Sequence, residues 1–360
     1  MSFRKLFAPA TLMAGIFMAS MPAFSGPVAS GCRAGLDTNL DTKSDYGFEK
    51  TAGANPGLVN VRTIDGITQL GNGFPLVLNS NQSLVGYGSF DGTGRAQLLA
   101  INDAAPNEGL LRIIVLNGTA LTSTNFPGTI PAGFTFVGVA DMDNDDDDDI
   151  VSVKTTAPNV GLVRVTRMTN TFAVQGTTFP TTLPAGFEIL GLADENGDGA
   201  ADITAVKTAA PNVGLVRVFL MGADAGSIAS NEFPGSVAAG FEAIGIGCFD
   251  ADDIGDLLMV KTAAPNVGLV RVTKVASGAA SFTGSTFPFT TPADYNIEAI
   301  GNYDGVDGDG LSARKQGAPN AGLTRLFNLT ADASAVGNTG FPNAVSTEFS
   351  RAGGTGAGLP

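Results

Sequence analysis

Three stretches of this sequence set Asp or Asn at alternating places, where side-chain oxygens can converge on one point. Asp141-Met-Asp143-Asn-Asp145-Asp-Asp-Asp-Asp149, Asp194-Glu-Asn196-Gly-Asp198-Gly-Ala-Ala-Asp202 and Asp37-Thr-Asn39-Leu-Asp41-Thr-Lys-Ser-Asp45 share these residue types at positions one, three, five and nine. A fourth stretch supplies Asp250, Asp252 and Asp256 at positions three, five and nine, with Cys248 in the first place. Such spacing suits Ca2+, which takes about six to eight hard oxygen ligands at roughly 2.3–2.6 Å. A tight loop wraps alternate side chains around the ion, position seven adds a backbone carbonyl, and position nine closes the sphere as the next strand begins. Without an ion, carboxylates this close repel one another; a divalent cation reverses that penalty. The plainer reading is a set of solvated Asp/Gly turns, which these residues favour anyway. One register shared by three loops argues for metal instead.

An EF-hand opens with the same spacing, but needs Glu at position twelve and a helix on each side. Position twelve here is Ser152 or Ala205, inside strand-like sequence, so that reading fails. Equivalent stretches elsewhere are poorer in ligands: Ser89, Asp91, Thr93 and Gln97 in one, Asn302, Asp304, Val306 and Gly310 in the other. In the latter, Asp307 and Asp309 could contribute only through a shifted loop. The expectation is metal in three loops, with Asp250, Asp252 and Asp256 as a further candidate.

Composition narrows the chemistry. The chain has no His and no Trp, which removes His-dependent triads, His-ligated zinc and His general bases. Its formal charge is −14. Residues 1–25 read as an export signal: Arg4 and Lys5, an apolar stretch from Leu6 to Phe24, then small residues at Ala23-Phe24-Ser25. Val28-Ala29-Ser30 offers a second cleavage point, and Ala29-Ser30-Gly31-Cys32 faintly resembles a lipoprotein box set too far beyond the apolar run. Pro9 and Pro22 interrupt that run, which argues against a membrane anchor. Losing Arg4 and Lys5 and no acid takes the charge from −14 to −16 over the remaining 335 residues. So acidic a surface argues against nucleic acid or anionic lipid as partners.

The elements that must position these loops are set by an internal repeat. The segment Val206 to Val218 recurs unchanged at Val260 to Val272, and with one change at Val153 to Val165. Its glycine falls at Gly57, Gly109, Gly161, Gly214, Gly268 and Gly322, at intervals of 52, 52, 53, 54 and 54 residues. Phe-Pro keeps the same beat at Phe74, Phe126, Phe179, Phe233, Phe287 and Phe341. Within one unit, Phe187 to Ala193 reads as a strand ending in the acidic loop, and Ile203 to Thr208 as a second. The Pro211-Asn212 turn leads to a third strand, Leu215 to Leu220, and a short fourth strand precedes Phe233-Pro234. Four strands in about 53 residues is the size of a propeller blade, whereas solenoid turns are shorter. The expected fold is therefore all-β: a six-bladed β-propeller of four-stranded repeats over residues 34–352, after a segment 26–33 and before a tail 353–360. Phe349 follows Pro342 as Phe187 follows Pro180, so the C-terminal strand can pair beside the first repeat and remove the open edge.

Asp194 to Asp202 followed by a strand, Ala210-Pro211 and Gly214 resembles the FG-GAP (VCBS-type) repeat, and Gly317-Ala318-Pro319 spells that family's closing tripeptide. The resemblance covers all six units and implies a β-propeller with Ca2+ in the acidic loops, as in α-integrin heads and many secreted bacterial proteins. It also implies a broad role: adhesion, binding of protein or carbohydrate, or service as a scaffold. The functional expectation is a secreted, cell-surface or periplasmic, non-enzymatic module that binds an extracellular protein or glycan, with no membrane span in the mature chain. A multivalent lectin is one alternative; a Ca-dependent hydrolase or lyase is another, supported only by the abundant Asp.

Two repeated cations and two cysteines complete the list. Lys50, Lys154, Lys207, Lys261 and Lys315 share one repeat position; Arg112, Arg164, Arg217, Arg271 and Arg325 share another. They could ring an anionic ligand, but pairing with nearby acids or covering apolar sheet is the favoured reading. Cys32 and Cys248 belong to units one and five, not adjacent in a ring of six, which favours a packing role for Cys248 and a free Cys32 over a disulfide. The many Phe residues recur with the repeat and are expected mostly in the core between blades.

Overall fold

The computed structural model describes residues 35–250, 252–306 and 308–351. The expected export signal, residues 1–25, and Cys32 lie outside them. Among these residues there is no helix; strands and turns make a closed ring of six blades. Blade 4 shows the plan: Phe187–Ala193, Asp202–Lys207, Leu215–Met221 and Ile228–Ser236 pair antiparallel in that order from the inside out. Val, Ile and Leu dominate the middle strands because both faces of each sheet are covered by a neighbouring blade. The fourth strand differs from expectation. In blades 4 and 6 it runs through Phe-Pro to Ser236 and Ala344 instead of stopping before it. A register shift between Val216 and Val218 absorbs the proline, which is tolerable on an outermost strand with no further ladder to feed.

The core is distributed over the six blade interfaces. One such cluster joins Val151, Val163 and Val165 of blade 3 to Leu192, Ile203 and Phe219 of blade 4. Another joins Leu258, Val260 and Val272 of blade 5 to Ile300, Leu311 and Phe327 of blade 6. The last interface, between blades 6 and 1, is built on Tyr46, Phe48 and Ile64 against Tyr303 and Leu326. Burying apolar surface between every neighbouring pair leaves no blade able to unfold without exposing two partners' faces.

Closure follows the expected route. Phe349–Arg351 pairs antiparallel with Tyr46–Lys50, setting Lys50 opposite Phe349 and Phe48 opposite Arg351. That supplies blade 1 with its innermost strand from the far end of the chain. Its outermost strand is reduced to isolated bridges, Val61 to Gly73 and Leu58 to Val77. The Arg351 guanidinium lies 4.1 Å from the Tyr46 ring centre and donates to Tyr303 Oη at 3.1 Å, which fastens the seam.

Candidate metal centre

In blades 2 to 6 the loop joins the first strand to the second, and in blade 1 residues 37–45 lead into the second strand, so all six loops share one face of the ring. The Pro-Asn turns join second to third strands and lie on the other face. A backbone ring connects the loops. In every blade the position-eight N–H donates to the position-one carbonyl of the preceding blade. The pairs are Ala96 to Asp37 (2.7 Å), Asp148 to Ser89 (2.9 Å), Ala201 to Asp141 (2.7 Å), Gly255 to Asp194 (3.2 Å), Asp309 to Cys248 (2.5 Å) and Ser44 to Asn302 (2.5 Å). The last bond carries the ring across the seam. A change in one loop's conformation is thus felt by its neighbour through a main-chain contact.

Within the loops, position one organises the turn. Asp194 accepts from the amides of Asn196 (3.1 Å), Gly197 (2.6 Å) and Gly199 (2.8 Å). Asp37 does the same for Asn39, Leu40, Asp41 and Thr42. The third and fifth positions then meet: Asn196 Nδ2 donates to Asp198 Oδ2 at 2.9 Å, and Asn39 Nδ2 to Asp41 Oδ2 at 3.0 Å. In blade 3 three carboxylates converge without an amide between them. Oxygens of Asp141, Asp143 and Asp145 lie within 4.8 Å of one another.

Position nine has a role that spacing alone did not disclose. Its Oδ1 accepts from the backbone amide 19 residues on, at the end of the third strand or its equivalent: Asp45 from Ile64 (3.0 Å), Asp149 from Met168 (2.8 Å), Asp202 from Met221 (2.7 Å) and Asp256 from Val275 (3.0 Å). In blades 1 and 4 the second oxygen is also filled, by the amides of Thr38 (2.9 Å) and Glu195 (3.0 Å). In blades 3 and 5 it is not: Asp149 Oδ2 and Asp256 Oδ2 are buried without a partner, as is Asp143 Oδ1. Buried anionic oxygens without donors cost several kcal/mol unless a cation meets them.

Electrostatics agree. Burial pushes the carboxyls of Asp45 and Asp141 up to about 7, Asp202 and Asp256 to about 8, and Asp149 to about 9. Burial also raises Asp37 and Asp143. The carboxyls raised to about 7 or above hold a proton at neutral pH or exchange it for a metal ion. The donor set is all hard oxygen, which fits Ca2+ and not a thiolate- or imidazole-loving metal. The residues therefore fit the ion: positions one, three and five would hold it, and its two charges would supply the compensation that the buried oxygens lack.

The remaining loops are built differently. In blade 2, Gln97 replaces the position-nine carboxylate, accepting from Phe90 N at 2.7 Å and donating to Arg95 O at 2.7 Å, so a neutral amide satisfies the turn. In blade 6, Asn302 bonds Gly305 N and Val306 O at 2.8 Å each, and Gly310 carries no ligand. In blade 5, Asp250 pairs with Lys274 Nζ at 2.9 Å; burial raises the Asp250 carboxyl, but hydrogen bonds with Asp252 and Lys274 bring it below the ordinary range. Burial and that same Asp250 bond push Asp252 to about 6.

Sequence reasoning missed a second set of acids. Asp148 and Asp309 stand at position eight, fully buried, and return the inter-blade bond: Asp148 Oδ2 accepts Ser89 N–H at 2.7 Å and Asp309 Oδ2 accepts Cys248 N–H at 2.8 Å. Asp309 is thus a blade-to-blade strut and not a displaced ligand. Glu195, buried in blade 4, accepts from Thr204 Oγ1 at 2.9 Å. The available signal was the contrast with Ser44, Ala96, Ala201 and Gly255, which show position eight to be an interior site.

Three smaller expectations are settled by contacts. The repeated arginines pair with no carboxylate among the described residues. Instead Arg217 lies 4.5 Å from the Phe219 ring centre and 5.2 Å from that of Phe233, and Arg325 lies 4.7 and 5.4 Å from Phe327 and Phe341. Lys154, Lys207 and Lys261 cover Phe134, Phe187 and Phe241 in the same way, whereas Lys50 pairs with Glu348 at 3.0 Å. The Phe-Pro phenylalanines are not core: they are 49–55% exposed, and Phe126, Phe233, Phe287 and Phe341 lie against the repeated arginines. Cys248 is disulfide-bonded, which corrects the packing role.

No protein-family model and no curated protein match the chain. Solved structures do. A chain of the Tc holotoxin pore of Photorhabdus luminescens aligns over 86% of this chain at 13% identity and a TM-score of 0.51, although the match spans only 15% of that much longer polypeptide. The Dos1 propeller aligns over 88% of this chain and 74% of its own, at 12% identity and TM-score 0.42. The periplasmic gluconolactonase PpgL of Pseudomonas aeruginosa aligns over 86% and 82%, at 16% identity and TM-score 0.41. At such identities the likeness is one of fold alone.

Proposed function

We propose that this chain is an exported, calcium-stabilised β-propeller of FG-GAP (VCBS-type) repeats that serves as a non-enzymatic binding module for an extracellular protein or glycan. The observation that carries the calcium reading is the blade 3 loop. There Asp141, Asp143 and Asp145 converge while Asp143 Oδ1 and Asp149 Oδ2 are buried without a donor. The same register in blades 1 and 4 extends it. Calcium in these loops fixes one face of the ring, because each loop is hydrogen-bonded to the next blade's loop. A fixed, loop-bearing face is the kind of rigid platform on which variable side chains recognise a partner. The repeated residues serve the scaffold, which leaves recognition to the residues that differ between blades.

The test is thermal unfolding of the mature chain in EDTA and then in 10 mM calcium or 10 mM magnesium. Calcium should raise the melting temperature and magnesium should do far less, since Mg2+ demands tight octahedral geometry and keeps its water. Equal melting in EDTA and calcium would overturn the reading. Glycan and extracellular-protein binding screens, run with and without calcium, then address the partner.

A further inference from the structure

The residue just before each position-nine amide donor holds one register around the ring: Thr63, Val115, Arg167, Leu220, Lys274 and Asn328. In blade 5 this side chain is a cation seated in the loop. Lys274 Nζ lies 2.9 Å from Asp250 Oδ2, and the two side chains are only 23% and 12% exposed. In blade 3 Arg167 reaches the equivalent Asp143 at a looser 3.4 Å. Blades 1 and 4 place Thr63 and Leu220 there, and neither supplies charge. Blade 5 also lacks a position-one carboxylate, since Cys248 occupies that place and is disulfide-bonded. Of its first two ligand positions, one is missing and the other is held by an ammonium.

We propose that Lys274 is the built-in cation of the blade 5 loop, which therefore closes without a divalent ion, so that calcium is confined to blades 1, 3 and 4. This deepens the calcium reading and rests on it. An incoming ion would have to break the Lys274–Asp250 pair and then sit beside the displaced ammonium, where two positive charges repel at short range. It would also find no position-one oxygen to replace the water it gives up. Arg167 does not block blade 3 in this way, because its contact with Asp143 is looser and Asp141 and Asp145, which converge with it, remain free of the guanidinium.

Equilibrium dialysis against calcium, with melting in EDTA, tests this on the mature wild type and on Lys274→Met, Lys274→Arg and Asp252→Asn. Wild type and Asp252→Asn should both bind three ions. Lys274→Met should melt about 2 °C lower in EDTA, while Lys274→Arg keeps the wild-type value. The proposal is overturned if Asp252→Asn lowers the ion count by one, because blade 5 would then hold metal. It is equally overturned if Lys274→Met melts like wild type in EDTA. Failure of the calcium reading looks different: no variant binds any ion, which removes the confinement claim, while the EDTA loss in Lys274→Met still reports the ammonium's role.

Discussion

Replacing Asp202 should destabilise the protein even when no metal is available. Its two oxygens accept the buried amides of Met221 at 2.7 Å and Glu195 at 3.0 Å, tying the third strand and the loop to the start of the second strand. Asp202→Ala leaves both amides without an acceptor, at about 1–3 kcal/mol each. Removing a carboxyl that burial has already pushed to about 8 returns part of that cost. A net loss of about 2–4 kcal/mol follows. Unfolding entropy of about 2.1 cal/mol/K per residue, over the 317 positions from 35 to 351, converts each kcal/mol into about 1.5 °C. Asp202→Ala should therefore melt about 3–6 °C below wild type in EDTA. Asp202→Asn keeps one acceptor and should lose about half as much. Differential scanning calorimetry in EDTA reads both. An Asp202→Ala protein that melts with wild type in EDTA, and differs only in calcium, would show that position nine is a ligand and nothing else, and the tie through the Met221 and Glu195 amides would be wrong.

Acidification should stabilise the metal-free protein. Burial raises Asp45, Asp141, Asp148, Asp149, Asp202 and Asp256 from 3.8 to values between about 7 and 9, so the folded state holds more protons than the unfolded one across that window. Their contribution is fully present below about pH 4 and is lost progressively as pH rises through about 7 to 9; melting in EDTA should be higher at pH 5 than at pH 8, and the increment from calcium should be larger at pH 8. At the seam, Arg351→Ala removes a buried cation from the Tyr46 face; it should cost about 2–4 kcal/mol, visible as a lower urea midpoint. Gly322→Ala should be far more harmful than Gly278→Ala: both have positive φ, but the new methyl would collide with Val345 O in the first and meet nothing within 4 Å in the second. The second should lose only about 1–2 kcal/mol of backbone preference, measured in the same urea series.

The repeat made the architecture legible because each blade reuses the same strands, turn and glycine, so one unit read correctly gives six. The seam was also legible, since Phe349 sits where a first strand should begin. What spacing could not convey was the direction of each carboxylate. Asp149 and Asp202 occupy one repeat position, yet one has a buried oxygen without a donor and the other has both oxygens filled by amides. That difference depends on the path of the loop amide at position two, which the residue types do not encode. Asp148 and Asp309 were hidden for a related reason: acid-rich loops drew attention to every Asp as a ligand, whereas burial against the neighbouring blade makes these two struts. Phe usually marks the core, but the Phe-Pro rings stay at the surface, four of them against repeated arginines.

The most direct test of the account is a calcium count on the mature wild type beside Asp37→Asn, Asp141→Asn and Asp194→Asn, by equilibrium dialysis at saturating ion. Three ions in wild type, falling by one in each variant, is the predicted result. No bound calcium in the wild type, or a count indifferent to all three substitutions, would contradict it and leave the acidic loops as hydrogen-bonded turns of a metal-free propeller.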